Sequence, residues 1–200
     1  MRQKLLLLFF PILILISWPV IGQEDYMGVR FGYSNTQLNA ENESDVELRN
    51  RNTWHGALTY SHIFKNNIFG FSVEPGYALK GTRTNRDTIN YKLHYLSTPI
   101  LIDFYPVKNL RLGFGPEVSF LLSGRNRIND TTKINIKESF DNQHELSGTI
   151  SLSYSMSFFA DFGVRYNRGF TVLTKSDGIL NRRNLMSEYL QIFILLKIAN

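Results

Sequence analysis

The chain has 200 residues, enough for one domain with a targeting segment, and 43% of its residues are hydrophobic while 20% are charged. The formal net charge of +5 is small and spread along the chain, so the composition does not favour a nucleic-acid-binding protein. The absence of cysteine excludes a disulfide scaffold and thiolate metal ligands.

The N-terminus has the parts of a secretory signal peptide. Arg2 and Lys4 precede an apolar run over residues 5–16, and small residues follow it. The run is nearly long enough to be an uncleaved membrane anchor, which is the alternative. We expect a signal peptide over residues 1–22 and an exported domain over residues 23–200, with a mature charge of +3. No later apolar stretch approaches the roughly 20 residues of a membrane helix, so strands must provide any further membrane embedding.

Eight later segments alternate large apolar residues with small or polar ones, as a strand does when its two faces differ. They are residues 26–34, 53–63, 68–80, 91–105, 110–123, 146–154, 158–167 and 188–198. A half-buried strand of a soluble protein also alternates, but its polar face would carry Lys, Glu and Thr. Here that face is Gly, Ser and Ala with isolated charges, which suits the interior of a narrow closed barrel.

The connections between these segments alternate in length. Residues 64–67, 106–109 and 155–157 are short turns, whereas residues 35–52, 81–90, 124–145 and 168–187 are long and polar. Long outer loops and short periplasmic turns are typical of outer-membrane barrels. The sequence therefore predicts an all-β protein of the cell outer membrane, an eight-stranded antiparallel up-and-down transmembrane β-barrel.

Three prolines count against uninterrupted strands, namely Pro75, Pro99 and Pro116. Each proline removes one ladder donor, and a closed barrel has no edge strand to accommodate it. We therefore expect each proline to lie at a bulge or at the rim. A bulge at Pro99 would also reverse the inward and outward faces beyond it.

Aromatic residues stand near the ends of the predicted strands. They are Tyr26, Trp54, Phe64, Phe69, Tyr91, Tyr105, Phe158 and Tyr189. This placement predicts the aromatic girdles that mark the two interfaces of a membrane barrel. The alternative is that aromatics are simply good strand formers.

Charged residues occupy the predicted inward faces. They are Arg30, Glu74, Lys80, Asp103, Arg111, Glu117, Asp161 and Arg165, with Lys197 on the last strand. Isolated charges are costly in a narrow interior, so these residues should form ion pairs. We expect Glu74 and Glu117 to form the central pairs with Arg30 and Arg165. A salt-bridged core that fills the barrel and a small gated pore lined by the same residues both remain open.

The sequence shows no pattern for catalysis, a cofactor or a metal. The histidines His55, His62, His94 and His144 have neither the i, i+2 nor the i, i+4 spacing of a metal site. Ser61 with His62 and His144 with Ser147 come nearest to a hydrolase triad, and neither pair has an evident acid. No glycine-rich phosphate loop occurs. We expect a non-enzymatic protein without catalytic, cofactor-binding or metal-binding residues.

One stretch resembles a known family. Residues 95–102 (YLSTPILI) followed by Tyr105 and Pro106 resemble a strand motif of the PorT-like outer-membrane β-barrel family. Residues 74–81 (EPGYALKG) and 113–117 (GFGPE) resemble the strands on either side. The resemblance is concentrated in residues 68–124. It implies an outer-membrane barrel, and a few members of that family belong to a secretion and gliding apparatus.

The function expected from these features is a plugged outer-membrane barrel that presents outer loops for binding or as a scaffold. The alternatives are a PorT-like accessory component of a secretion machinery and a narrow solute channel. The expected partners are outer-membrane lipid, the outer-membrane assembly machinery, and proteins that contact the outer loops or the periplasmic turns.

Overall fold

The computed structural model describes residues 24–40, 48–65, 67–84, 90–128, 132–140, 142–173 and 185–198. The predicted signal peptide lies outside these residues. The strands are β1 (Glu24–Ala40), β2 (Leu48–Ile63), β3 (Phe69–Val73), β4 (Gly76–Lys80), β5 (Thr82–Thr84), β6 (Tyr91–Val107), β7 (Leu110–Ile128), β8 (Thr132–Asn135), β9 (His144–Ser157), β10 (Ala160–Gly169) and β11 (Leu185–Ile198). A short 3-10 helix spans Lys137–Ser139. Among the described residues no helix is long and apolar enough to cross a membrane.

The strands form one closed antiparallel ring. β1 pairs with β2 on one side and with β11 on the other, from Met27 opposite Ile198 to Ala40 opposite Leu185, and β10 pairs with β9 and β11. β3 and β4 together fill one position between β2 and β6, and β7 pairs with β6 and β9. The ring therefore has eight positions, in agreement with the predicted antiparallel strands. β5 and β8 are short additions where the long connections lie, an end that we call the loop end; the opposite end is the turn end.

Polar residues face the inside of the ring and apolar residues face outward. In β10, Asp161 and Arg165 are buried, whereas Phe162 and Val164 between them are exposed. Ile150 in β9 is 64% exposed. Because the closed ladder pairs the backbone groups, such an apolar outer surface can lie against lipid.

The bulges predicted at Pro75, Pro99 and Pro116 are absent, and that expectation is wrong. β2 keeps one register past Pro75, with Tyr60 opposite Val73 and Ala57 opposite Gly76. The pairing of β6 with β7 likewise keeps one register through Pro99, and Pro116 lies opposite Gly148 in an unshifted β7–β9 ladder. The missing donors interrupt the ladders only locally, between β3 and β4 and between Pro99 and Ile102 of β6, so the inward and outward faces do not exchange at the prolines. The register of β6 with β7 shifts elsewhere, between His94 and Tyr95 and between Phe104 and Val107.

The strands extend further at the loop end than the alternation predicted. β1 and β2 reach Ala40 and Leu48, well inside the predicted loop 35–52. Here the amide of Asn35 donates to Asn52 at 2.8 Å and accepts from Asn50 at 2.6 Å on the outer face. Because polar residues occupy both faces here, hydrophobic and polar residues do not alternate. The sequence pattern therefore could not predict that the strands continue.

Half of the predicted girdle residues do not face outward. Trp54, Phe64, Phe69 and Phe158 are exposed, at 58%, 41%, 43% and 85%. Tyr91 and Tyr189 are 3% exposed because the strand register turns them inward. The Tyr26 hydroxyl accepts a hydrogen bond from the buried Arg111 guanidinium at 2.9 Å, so the Tyr26 side chain also points into the ring.

Gly32 in β1 packs closely against the backbone of β11 and leaves no room for a larger side chain. A Cβ on Gly32 would lie 2.0 Å from the Ile192 carbonyl oxygen and 2.7 Å from the Phe193 Cα. Gly32→Ala must therefore push β1 away from β11 and lower the free energy of unfolding by about 1–3 kcal/mol. Urea unfolding of the protein refolded into vesicles, followed by tryptophan fluorescence, measures this loss.

Gly56→Ala is the matched control, because its Cβ would approach nothing closer than the Arg30 carbonyl oxygen at 3.9 Å. It should leave the unfolding midpoint at or slightly above that of the parent. Equal midpoints for the two variants would contradict the register between β1 and β11.

Candidate functional site

The interior of the ring holds the eight charged residues that the sequence placed there. Arg30, Glu74, Lys80, Asp103, Arg111, Glu117, Asp161 and Arg165 are all buried, and none is more than 4% exposed. They come from five of the eight positions of the ring and fall into three layers between the turn end and the loop end. Each layer has its own ion pairs.

The central layer is built on Glu74. Its Oε2 lies 2.9 Å from the Arg30 Nε and 2.8 Å from the Arg165 Nη2. These contacts are ion pairs without hydrogen-bond alignment. Both guanidinium groups lie over the Phe193 ring, at 5.2 and 5.5 Å from its centroid, and Arg30 also donates to Gln191 at 3.1 Å. One carboxylate thus contacts two arginines, Arg30 on β1 and Arg165 on β10, which lie on either side of β11.

The loop-end layer is built on Lys80. Its Nζ lies 3.4 Å from the Glu117 Oε1 and 3.3 Å from the Glu145 Oε2. The Tyr95 and Tyr189 rings flank the ammonium, each with its centroid 4.9 Å away. Tyr189 donates its hydroxyl hydrogen to Glu117. Glu117 therefore pairs with a lysine in this layer and not with the central arginines.

Glu145 is a member of this layer that the sequence analysis missed. It is 1% exposed and accepts a hydrogen bond from the Ser187 hydroxyl. It was assigned to the loop over residues 124–145, yet it precedes the clear alternation of residues 146–154 by one position. Extending that alternation backwards would have placed it inside.

The turn-end layer contains two basic and two acidic residues. The Arg111 Nη1 lies 3.8 Å from the Asp103 Oδ2, and its Nε donates to Ser153 at 3.1 Å. The Lys197 Nζ lies 2.7 Å from the Asp161 Oδ1. With Glu145 included, the ion pairs of the three layers join five basic and five acidic side chains of the described residues: Arg30, Lys80, Arg111, Arg165 and Lys197 with Glu74, Asp103, Glu117, Glu145 and Asp161. The three layers taken together are therefore neutral.

An apolar lid covers the loop-end layer. It is the cluster of buried residues Leu38, Tyr91, Leu93, Tyr95, Leu121, Ile136, Phe140 and Leu173. Five of them point inward from β1, β6 and β7, and the other three come from the segments after β8, the 3-10 helix and β10. The Ile136 N–H donates to the Gly124 carbonyl at 3.0 Å, and the Asn142 N–H donates to the Leu173 carbonyl at 3.2 Å. The first bond ties the lid to β7, and the second joins two of its connecting segments to each other.

The interior leaves little open space beside the central layer. A cavity there is bordered by Arg30, His55, Glu74, Ser97 and Gln191, among others. It has room for about one water molecule. A cavity of this size can solvate a carboxylate oxygen but does not form a path for solutes.

The histidines do not assemble the triads considered from the sequence. His62 faces outward, where its Nδ1 lies 2.6 Å from the Asp25 Oδ1 and its ring contacts Phe71, whereas Ser61 points inside. The His144 ring meets the Phe120 ring edge to face on the outer face, whereas Ser147 is buried inside. Within the part of the chain that the structure describes, no group of three His, Asp or Glu side chains could hold a metal ion.

The shared carboxylate of the central layer should be the most costly side chain to remove. Glu74→Gln leaves Arg30 and Arg165 buried without a countercharge, so the free energy of unfolding should fall by about 3–5 kcal/mol. Lys197→Gln is the control, because its side chain is 17% exposed at the turn end and its loss should cost less. Urea unfolding in vesicles compares the two. A Glu74 variant as stable as the Lys197 variant would contradict the pairing.

Two comparisons place this architecture among known proteins. The attachment invasion locus protein Ail of Yersinia pestis is 12% identical, with a TM-score of 0.53 over 88% of this chain and 99% of that chain. Neisserial surface protein A is 14% identical, with a TM-score of 0.54 over 88% of this chain and 99% of that chain. At such low identity these structures are similar in fold alone. No curated protein matches the sequence.

The family model described as the outer membrane protein beta-barrel domain matches residues 24–175, most of the chain. This match covers β1 to β10, which include the central charge layer and the segments of the lid. It confirms the predicted location in the outer membrane. The chain belongs to the outer membrane protein beta-barrel domain family and is an outer-membrane β-barrel protein.

Proposed function

We propose that this protein is a non-enzymatic outer-membrane barrel with a closed interior, which presents its loop end outside the cell for binding or as a scaffold. The observation that carries the proposal is the combination of the buried ion-paired layers, which are neutral taken together, with the apolar lid above them. In this orientation the long connections face the medium and the short turns face the periplasm, the usual arrangement of such barrels.

The lid and the layers act against conduction in different ways. An ion entering from the loop end would first meet Leu93, Ile136 and Leu173, each at most 1% exposed, and would lose its hydration there. It would then meet Lys80 held between two carboxylates. Opening a path would require both the apolar contacts and the ion pairs to separate. This combination favours the plugged barrel over the narrow channel.

The loop end offers a polar surface for partners. The outer edge of β1 and β2 carries the linked amides of Asn35, Asn50 and Asn52, with Arg49 and Arg83 exposed beside them on β2 and β5. Strands that continue as a hydrated ladder beyond the apolar surface give such a surface a fixed shape. A protein or glycan partner would therefore meet a preformed platform. Membrane lipid and the outer-membrane assembly machinery complete the proposed set of partners.

A PorT-like role in a secretion machinery is the second candidate. It rests on the motifs in residues 74–81 and 95–102, and on an exposed apolar tip in the turn after β9, where Met156 is 73% and Phe158 85% exposed. A periplasmic partner could bind this exposed apolar tip. Crosslinking in intact outer membranes followed by pull-down tests this role, with Phe158→Ser as the variant that should lose the partner.

Single-channel recording in a planar bilayer tests the closed interior. The purified barrel should give no current steps above the membrane baseline, because the lid and the ion pairs block the interior. An open porin inserted from the same detergent is the positive control. Reproducible steps from the parent protein would support the channel instead and would contradict the plugged barrel.

A further inference from the structure

One part of the lid lies beyond the end of its ladder. Five lid residues project from the ladder strands β1, β6 and β7, whereas Leu173 lies in the segment after β10. We call residues 170–173 the strap. The described pairing of β10 with β11 ends at Arg168 opposite Glu188, so the strap begins past that pairing. The strap brings Leu173, which is 0% exposed, into the lid.

The strap passes from the outer wall to the interior within four residues. Phe170 continues the outward positions of β10 and is 63% exposed, whereas Leu173 is enclosed by the lid. Three residues of extended chain span at most about 10 Å. The Phe170 ring therefore cannot move far from the wall without pulling on Leu173. A side chain on the outer surface is thus tied to the closure of the interior.

Gly148 in β9 is the seat of the Phe170 ring. A Cβ on Gly148 would lie 2.8 Å from the Phe170 Cζ and 3.2 Å from its Cε2, so the ring rests on bare backbone. The Phe170 N–H donates to the Leu146 carbonyl at 2.8 Å, and the Leu146 N–H donates to the Thr171 hydroxyl at 2.9 Å. The outer half of the strap is therefore held by β9.

Asn142 holds the inner half of the strap. Its N–H donates to the Leu173 carbonyl at 3.2 Å, and its side-chain amide donates to the Val172 carbonyl at 2.7 Å. The base of the strap adjoins the loop-end layer, because a Cβ on Gly169 would lie 3.0 Å from the Glu145 Oε1. A strap that lifted would therefore uncover the loop-end layer.

We propose that the contact between the Phe170 ring and Gly148 is a latch, which keeps the strap closed over the loop-end layer. The apolar contact stabilises the closed position, and the hydrogen bonds of Asn142 fix where Leu173 lies. Opening the strap separates only these contacts and leaves the ring of strands intact, so it costs less than unfolding the barrel. The latch lies on the outer wall and acts on the lid inside.

Amide hydrogen exchange of the full-length mature protein in nanodiscs, followed by NMR, tests the latch. F170A should speed exchange of the Asn142 amide about tenfold, because the closed strap loses its apolar contact. The Ile136 amide, which donates to Gly124 of β7, should exchange as in the parent. F162A removes another outward ring of β10, nearer the turn end, and as the control it should change neither amide.

Two outcomes of this measurement would overturn the proposal. Asn142 exchange in F170A equal to that of the parent would show that the ring does not hold the strap. An equal increase at Ile136 would show that the lid opens as one body, without a separate strap.

G148A acts on the seat and leaves Phe170 in place. The added Cβ takes the space of the ring, so this variant should also speed exchange of the Asn142 amide. In the F170A background it should add nothing, because both changes remove the same contact. Independent, additive effects would mean that Gly148 acts apart from the ring, which would overturn the latch.

Labelling of a cysteine under the lid tests the consequence of opening. Ser187 is 2% exposed and donates to Glu145, and the chain has no cysteine of its own. A water-soluble methanethiosulfonate should label S187C/F170A about tenfold faster than S187C or S187C/F162A, in step with the exchange of the strap. Equal labelling rates would overturn the proposal. Since the central layer is unchanged in every variant, neither result depends on whether the barrel conducts.

Discussion

A closed ladder of strands encloses a space that must be filled, and here charged side chains fill it. Burying an ionised group is tolerable only when an opposite charge and further polar contacts compensate for its lost hydration. Glu74 meets this requirement for two arginines at once, and Lys80 is held between two carboxylates. The neutrality of the three layers taken together is thus a condition for closing the ring, and it couples strands that are far apart in sequence.

The same arrangement determines what the barrel can do. Because the ion pairs and the apolar lid occupy the interior, the surfaces left for contact are the outer wall and the two ends. The outer wall is apolar, whereas the loop end is polar. Under the proposed function, lipid covers the wall and partners outside the cell contact the loop end.

Much of this architecture could be predicted from the sequence because strand alternation is strictly periodic. Arg165 between Phe162 and Tyr166 had to face inside once the apolar side was turned to lipid, and the same logic placed the other seven predicted charges. The lid could not be predicted, since Ile136, Phe140 and Leu173 stand in polar connections without periodicity. The ion-pair partner of Glu117 could not be predicted either, because pairing across the interior depends on the stagger between strands.

At the prolines, the sequence predicted bulges that the structure does not have. Pro75 and Pro99 removed donors from the ladder as expected, but the register does not shift at either proline. The loss of a backbone donor at a proline therefore does not by itself change the geometry of the strand. The long polar extensions of β1 and β2 were missed for a related reason: the ladder continues where the hydrophobic signal ends.

The most direct test of the account is the accessibility of successive positions along β9 in a lipid bilayer. The chain has no cysteine, so single cysteines can be placed at each of residues 146–154 and spin-labelled. Even positions should collide with lipid-soluble oxygen, and odd positions should be shielded from both oxygen and a water-soluble nickel complex. Odd positions open to the nickel complex would mean a water-filled interior and would contradict the closed, charge-paired barrel.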